Sequence, residues 1–170
     1  MSKRKIEAFI APALDLIPDH LEKDGAVERV YKSYISAMGA SMIQSGLLPT
    51  LAIFSAPQSD SSAGDKRKLI RLLTELLKKW EKSNIEKAIE ALGANPEQEK
   101  EKKVRDRINF YSQIGEFTSD TAEDNRLLYF AADYKGHPQS LRRIRRDLTD
   151  ASVAVKLCLR TFKLQGNESS

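Results

Sequence analysis

The sequence predicts an all-α protein, a single-domain helical bundle of seven to eight helices. Apolar residues recur at intervals of three and four along most of the chain, which is the period of an amphipathic helix. Turn-forming residues separate these stretches, and no segment shows the alternating pattern and turn pair of a β-hairpin. A length of 170 residues fits one domain, residues 1–170, with one core. The 41% hydrophobic content and the single cysteine are typical of a globular protein in a reducing compartment, so we expect a cytoplasmic protein.

The first third of the chain predicts three helices. An amphipathic helix is expected near Lys3 to His20, with a kink at Pro12. A second helix is expected to end at Gly46, in a left-handed backbone conformation that glycine adopts readily. Pro49 suits the first turn of a short third helix, because its fixed φ is already helical.

The middle of the chain contains the clearest loop and much of the mixed charge. Turn-forming residues at about 56–64 predict a flexible loop, after which Asp65 is expected to cap a fourth helix. Asn84 is expected to cap a short fifth helix that ends near Gly93. Residues 97–107 carry both signs of charge in close succession, which predicts a solvated helical face. The wider segment at about 84–118 is predicted to be a charged insertion.

The last predicted helix is the most regular. Its apolar residues alternate spacings of three and four, so one seam of the helix is expected to face the core. The seam consists of Leu141, Ile144, Leu148, Ala151, Val155, Cys158 and Phe162.

Basic residues form a second stripe on the same helix, displaced by one residue from the seam. A one-residue offset is about 100° around a helix, so this stripe can be exposed while the seam is buried. Arg143 and Arg145 flank the stripe, and residues 139–164 hold seven positive and two negative charges, an excess of 7 − 2 = +5 against +4 for the whole chain. The basic stripe consists of Arg142, Arg146, Lys156, Arg160 and Lys163.

A stripe of this kind is typical of a site for a nucleic-acid backbone. Sequence-independent binding needs several cations at spaced intervals rather than a pocket. The alternative is that these cations pair with Asp147, Asp150 or a neighbouring helix. Aromatic residues are not interleaved in the stripe, so the pattern does not predict that bases are read.

The residue pattern predicts no enzyme. His20 and His137 have no carboxylate or cysteine at a metal-ligand spacing, and Cys158 falls on the apolar seam. Gly64 precedes Asp65 and Lys66, but the second glycine of a phosphate-binding loop is missing. We therefore expect no catalytic residue, no metal site and no cofactor.

No charged side chain occurs between Ser33 and Ser59. A membrane helix is not expected, because Gly46, Pro49 and many polar residues interrupt the run. The Leu, Ile, Met and Phe residues of this run are expected in the core. Its uncharged hydrogen-bonding residues suit a contact with another subunit or with RNA. The candidate contact residues are Ser36, Ser41, Gln44 and Ser45 of this run, together with Lys32 directly before it.

Two stretches resemble a known family. "YISAMGASMIQSGLLPTLAIF", residues 34–54, is similar to the characteristic stretch of the small subunit of Cmr-type (type III-B) CRISPR effector complexes, in which a helix ends in an uncharged turn before a second apolar helix. "ASVAVKLCLRTFKL", residues 151–164, resembles the C-terminal helix of the same family. The order of the two stretches along the chain also agrees with that family.

The resemblance implies an all-helical bundle with a non-catalytic role in antiviral defence. Small subunits of this kind stack along a ribonucleoprotein filament, beside the other subunits, and line the channel occupied by target RNA. The expected partners are therefore the other subunits of a CRISPR effector complex, guide RNA and target RNA, and further copies of the chain. On this reading the basic stripe neutralises phosphates while base pairing supplies the sequence information.

Two other functions remain open from the residues alone. A dimeric helical DNA-binding regulator would use the arginine-rich helix for recognition, although no helix-turn-helix pattern precedes that helix. A helical protein-binding adaptor without nucleic acid would use the uncharged surface alone, and its interactions would be insensitive to salt.

Overall fold

The computed structural model describes residues 3–55, 63–94, 97–108, 110–116 and 126–165. Seven α-helices, one 3-10 helix and three very short strands lie in this part of the chain. The helices are α1 (Lys3–Leu21), α2 (Val30–Ser45), α3 (Leu47–Ser55), α4 (Ala63–Glu90), α5 (Gln98–Ile108), α6 (Arg126–Ala132) and α7 (Pro138–Leu159). The 3-10 helix is Tyr111–Glu116, and the strands are β1 (Glu22–Lys23), β2 (Ala26–Glu28) and β3 (Leu164–Gln165). The predicted all-α class and the number of helices are confirmed.

Helix α1 lies at the centre of the packing, between α4 and α7. Its buried residues Phe9, Ala13 and Ile17 lie four positions apart and so share one face, and the helix continues through Pro12 to Leu21. The Phe9 ring lies against Trp80 of α4, with ring centroids 4.6 Å apart. Burying a Phe side chain completely stabilises the fold by about 1.5–3 kcal/mol.

The small sheet corrects one prediction, because the chain does contain a hairpin. Strands β1 and β2 pair antiparallel around Asp24 and Gly25, whose φ angles are 55° and 78°. An Asp-Gly pair with two positive φ angles is a favoured two-residue hairpin turn. Each strand is too short to show alternation in the sequence. Strand β3 pairs with β2 in parallel, and the Val27 amide donates to the Lys163 carbonyl over 2.9 Å.

Helix α4 is longer than predicted. Asn84 does not cap a separate helix, because α4 runs from Ala63 to Glu90 and contains it. Ile85 and Ile89 continue the half-buried side of the helix beyond Asn84, and this packing overrides the weak preference of asparagine for helix ends. Gly93 follows with φ 100°, in agreement with the predicted end.

The predicted loop at 56–64 falls largely outside the described residues, and α4 already begins at Ala63. Asp65 lies in the first turn of α4 rather than before it, and its carboxylate accepts a hydrogen bond of 3.2 Å from the Tyr31 hydroxyl. The charged segment at 84–118 contains the end of α4, the whole of α5 and the whole of the 3-10 helix. Its origin as an insertion stays a prediction.

Candidate nucleic-acid interface

Helix α7 has one buried and one exposed face, as its sequence predicts. The seam residues from Ile144 to Cys158 are buried, and Leu141 and Phe162 are packed against the core from its edge. The acidic residues of α7, Asp147 and Asp150, are also buried, each with 1% of its surface exposed. The exposed face of α7 therefore carries positive charge and no negative charge. Its exposed basic residues are Arg142, Arg145, Arg146 and Lys156.

The stripe continues beyond the end of the helix, which the sequence did not indicate. Arg160 is exposed at the C-terminal cap of α7, where its amide donates to Leu157 and Cys158 carbonyls. Lys163 is exposed in the connection to β3 and is not on the helix. The prediction that Lys163 lies on the last helix is therefore wrong. The helical spacing of apolar residues continues to Phe162, but α7 itself ends at Leu159.

Along the helix axis, four of the exposed cations lie in two pairs rather than in a continuous row. A rise of about 1.5 Å per residue puts Arg142 and Arg146 about 6 Å apart along the axis, and Lys156 and Arg160 about the same distance apart. About 15 Å separates Arg146 from Lys156. The half-buried Thr149 lies between these two groups.

The alternative, in which nearby acids pair with the cations of the basic stripe, is not supported by the ion pairs of the structure. Among the described residues, no carboxylate forms an ion pair with the exposed cations of the stripe. Asp147 instead pairs with Lys5 of α1 and with the flanking Arg143. Cations without protein partners are available to an anionic ligand.

Arg143 differs from the other arginines because the fold holds it in place. Its guanidinium lies 3.5 Å from the Glu81 carboxylate and 3.8 Å from that of Asp147. The same group stacks over the Phe110 ring, 4.3 Å from the ring centre. The prediction that Arg143 flanks the basic stripe is therefore incomplete, since this residue also joins α7 to α4 and the 3-10 helix.

A buried polar network lies beneath the basic surface. Asp147 accepts hydrogen bonds from the Lys5 ammonium and from the Tyr111 hydroxyl. Burial raises the pKa of Tyr111 well above its ordinary range, although nearby Arg143 acts in the opposite direction. Burial also lowers the pKa of Lys5, with Asp150 partly offsetting the effect. The network joins α1, α7 and the 3-10 helix through charged hydrogen bonds.

Glu81 is the second buried acid of this network. Its carboxylate accepts hydrogen bonds from the Tyr111 amide at 2.6 Å and from the Ser112 amide at 3.4 Å. Burial raises the pKa of Glu81, while these amides and Arg143 lower it. Glu81 thus holds the start of the 3-10 helix, and through Arg143 it holds the first turns of α7.

The uncharged surface of α2 and α3 is only partly the one predicted. Ser36, Gln44 and Ser45 are exposed, whereas Lys32 is half-buried. Ser41 is half-buried too, and its hydroxyl lies 2.8 Å from that of Thr50, which donates to the Gly46 carbonyl. Ser41 therefore joins α2 to α3 and is less available to a partner.

Two isoleucines of this surface are not in the core, contrary to the prediction for the uncharged run. Ile43 has 78% of its surface exposed and Ile53 has 47%. Ile43 is next to the buried Met42, so it points about 100° away from the core face of α2. The exposed residues of α2 and α3 carry no charge and include exposed apolar side chains; we call them the neutral surface. It consists of Ser36, Ala37, Ala40, Ile43, Gln44, Ser45, Pro49, Ala52 and Ile53.

Gly46 determines the angle between the two helices of the neutral surface. Its φ is 91° and its ψ is 177°, a region that is almost confined to glycine. The predicted positive φ is confirmed, although the ψ angle is extended rather than left-handed helical. Helix α3 begins at the next residue, Leu47.

The residues considered for catalysis are not assembled into a site. His20 is half-buried and His137 is exposed at the start of α7, and burial raises the pKa of Cys158. Within residues 3–55, 63–94, 97–108, 110–116 and 126–165, no group of three potential metal ligands occurs. In the same part of the chain, no helix is long and apolar enough to span a bilayer.

The residues that sequence analysis missed are Lys5, Glu81, Phe110 and Tyr111. The only local signal for Glu81 is its place beside the apolar stripe of α4, directly after Trp80. Lys5 resembles any cation near a helix N-terminus. Their function depends on contacts between distant segments, which a single sequence does not reveal.

Comparison with known proteins gives one match. The sequence model of the family described as CRISPR-associated protein (Cas_Cmr5) matches residues 8–121, which is more than half of the chain. This range contains the first resembling stretch, residues 34–54, whereas the second, residues 151–164, and all of α7 lie beyond it. No curated protein and no solved structure matches the chain.

Proposed function

The chain belongs to the CRISPR-associated Cas_Cmr5 family, and from this premise we propose that it is a non-catalytic small subunit of a type III-B CRISPR effector complex. In this proposal the subunit binds the phosphate backbone of target RNA, or of the guide-target duplex, through the basic stripe of α7. It works in the cytoplasm in antiviral defence. Its partners are the other subunits of the complex and further copies of itself along a filament.

The observation that carries the proposal is the exposed cationic face of α7. Arg142, Arg146, Lys156 and Arg160 are exposed, and the acids of the same helix are buried. Such an arrangement leaves several positive charges without protein partners at spaced intervals, as binding to successive phosphates requires. Separation into two groups suits contacts with two short stretches of backbone.

Backbone binding without base reading is consistent with the composition of the stripe. Its exposed members are arginine and lysine, with Thr149 and Val153 between them and no aromatic side chain on which a base could stack. In a guide-dependent complex, base pairing supplies the sequence information, so the protein needs only to recognise the backbone. Non-specific cations are sufficient for that task.

The neutral surface supports the second half of the proposal, contact with other subunits. An Ile side chain with 78% of its surface exposed is unfavourable in water, and burial of apolar area is the main driving force of association. Uncharged hydrogen-bonding groups such as Gln44 surround it. Depletion of charge is typical of the centre of a protein interface.

The salt dependence of RNA binding tests the proposal. Replacing four of the five exposed cations of the basic stripe by Gln should weaken binding of single-stranded RNA and reduce the slope of log K against log salt. At about 0.7 per phosphate contact, the expected reduction is about 2.8 when all four make contacts. The four positions are Arg142, Arg146, Lys156 and Arg160.

A second variant controls for the change in net charge. It also replaces four exposed cations by Gln, on α4 and α5, and should leave the slope nearly unchanged. These control positions are Lys82, Lys87, Lys102 and Lys103. Equal reductions in both variants would show that binding follows net charge alone and would remove the basic stripe as a site. A wild-type protein without affinity for RNA would contradict the proposed function itself.

A further inference from the structure

A shallow, open pocket lies at the N-terminal end of α7, beside the basic stripe. It has a volume of about 470 Å³ and is lined by Phe110, Gln139, Ser140, Arg142, Arg143 and Arg146. Three arginines thus line one pocket, with Gln139 and Ser140 beside them. No carboxylate lines it, whereas Glu75 or Asp150 contributes to three other cavities.

Arg143 gives the pocket a fixed wall that the basic stripe lacks. It lies about 100° around the helix from Arg142, so it does not point along the stripe. Glu81, Asp147 and the Phe110 ring hold its guanidinium from behind. An arginine that is already ordered loses little conformational entropy when it binds a ligand.

The positive charge of the pocket suits an anion that carries more than one negative charge. Glu81 and Asp147 compensate Arg143, and among the described residues no carboxylate pairs with Arg142 or Arg146. Two positive charges are therefore available. A phosphodiester carries one negative charge, whereas a terminal phosphate carries about −1.5 to −2 and three strong acceptor oxygens. The forked donors of several arginines can bind such a group at more than one oxygen.

We propose that this pocket binds a terminal phosphate of an RNA strand, in preference to an internal phosphodiester. The inference rests on the proposed function, since it gives the RNA ligand a defined end. The linear stripe suits successive phosphates, whereas three arginines around one pocket suit one phosphate with three free oxygens. Gln139 and Ser140 are placed to contact the sugar or the remaining oxygen.

Binding of three short RNAs with one sequence and an internal fluorophore tests the inference. One carries a 5′-phosphate, one a 3′-phosphate, and one has hydroxyl groups at both ends. Fluorescence anisotropy at about 0.1 M salt should give a dissociation constant at least about tenfold lower for one phosphorylated RNA than for the hydroxyl-ended one. The phosphorylated RNA that binds more tightly identifies the end.

Two exposed arginines provide the matched pair of variants. Arg142→Gln removes a wall of the pocket, so it should abolish the preference for a phosphorylated end. Arg145→Gln removes the same charge outside the pocket. It should therefore weaken the binding of phosphorylated and hydroxyl-ended RNA equally and leave the ratio of their dissociation constants unchanged. Arg143→Lys keeps the positive charge but loses the forked guanidinium donors, so it should reduce the ratio of the dissociation constants of hydroxyl-ended and phosphorylated RNA. A thermal melt checks that this variant is folded.

The outcomes separate this inference from the proposed function. Equal affinity for all three RNAs overturns the terminal-phosphate site while leaving backbone binding intact. A preference that survives in Arg142→Gln shows that another site recognises the end, which also overturns the inference. Failure to bind any RNA contradicts the proposed function first.

Discussion

Removing the carboxylate of Asp147 should destabilise the protein strongly, because this group is buried at the junction of three elements. It has 1% of its surface exposed, and it accepts hydrogen bonds from Lys5 and Tyr111. In Asp147→Leu, the ammonium of Lys5 and the Tyr111 hydroxyl both lose their acceptor. Arg143 keeps Glu81 as its other carboxylate.

The magnitude follows from the burial of each partner. Removing one partner of a buried ion pair lowers the free energy of unfolding by about 3–5 kcal/mol, because the charge of the other partner stays buried. The side chain of Lys5 retains 22% exposure and the charge of Asp150 still acts on it, so part of this cost is offset and the lower end, about 3 kcal/mol, is expected. The double variant Lys5→Met with Asp147→Leu removes both charges and should recover about 1–3 kcal/mol relative to the sum of the single changes.

Urea unfolding of the wild type, both single variants and the double variant measures this coupling. With a slope near 2 kcal/mol per molar urea, a loss of 3 kcal/mol lowers the midpoint by about 1.5 M. The slope itself should not change. Additive single effects in the cycle would show that Lys5 and Asp147 do not interact in solution, and would refute the assignment of this network as the link between α1 and α7.

The remaining predictions concern the neutral surface. Gly46→Val should destabilise the fold by about 1–3 kcal/mol, since a β-branched residue is strained at φ 91° and ψ 177°. Apart from its chain neighbours, an added Cβ would meet no heavy atom within 4 Å, so backbone strain rather than a clash of the Cβ is the expected cost, and an unchanged melting temperature would contradict it. Ile43→Glu should leave stability within about 0.5 kcal/mol, because the side chain is exposed. In a tagged pull-down from the host it should recover fewer partner subunits and less guide RNA than wild type, and equal recovery would place the subunit contact elsewhere.

The helices with a strong local pattern could be predicted from the sequence. Successive turns of α7 place its apolar residues on one side, so neither the seam nor the exposed stripe needs knowledge of a partner. The positive φ of Gly46 was also predictable, because an uncharged helix end followed by Pro49 leaves few alternatives. The hairpin at Asp24 and Gly25 was missed because its strands have only two and three residues.

The amino-acid sequence by itself determined the helical class, the ends of α1, the end of α2 at Gly46, and the separation of charge from apolar surface on α7. These features depend on residues within one or two turns of each other. Tertiary structure alone decided that Arg143 is held by Glu81 and Phe110, that Ile43 is exposed, and that Lys5 pairs with Asp147. The last two residues are 142 positions apart, and only the packing of α1 against α7 brings them together.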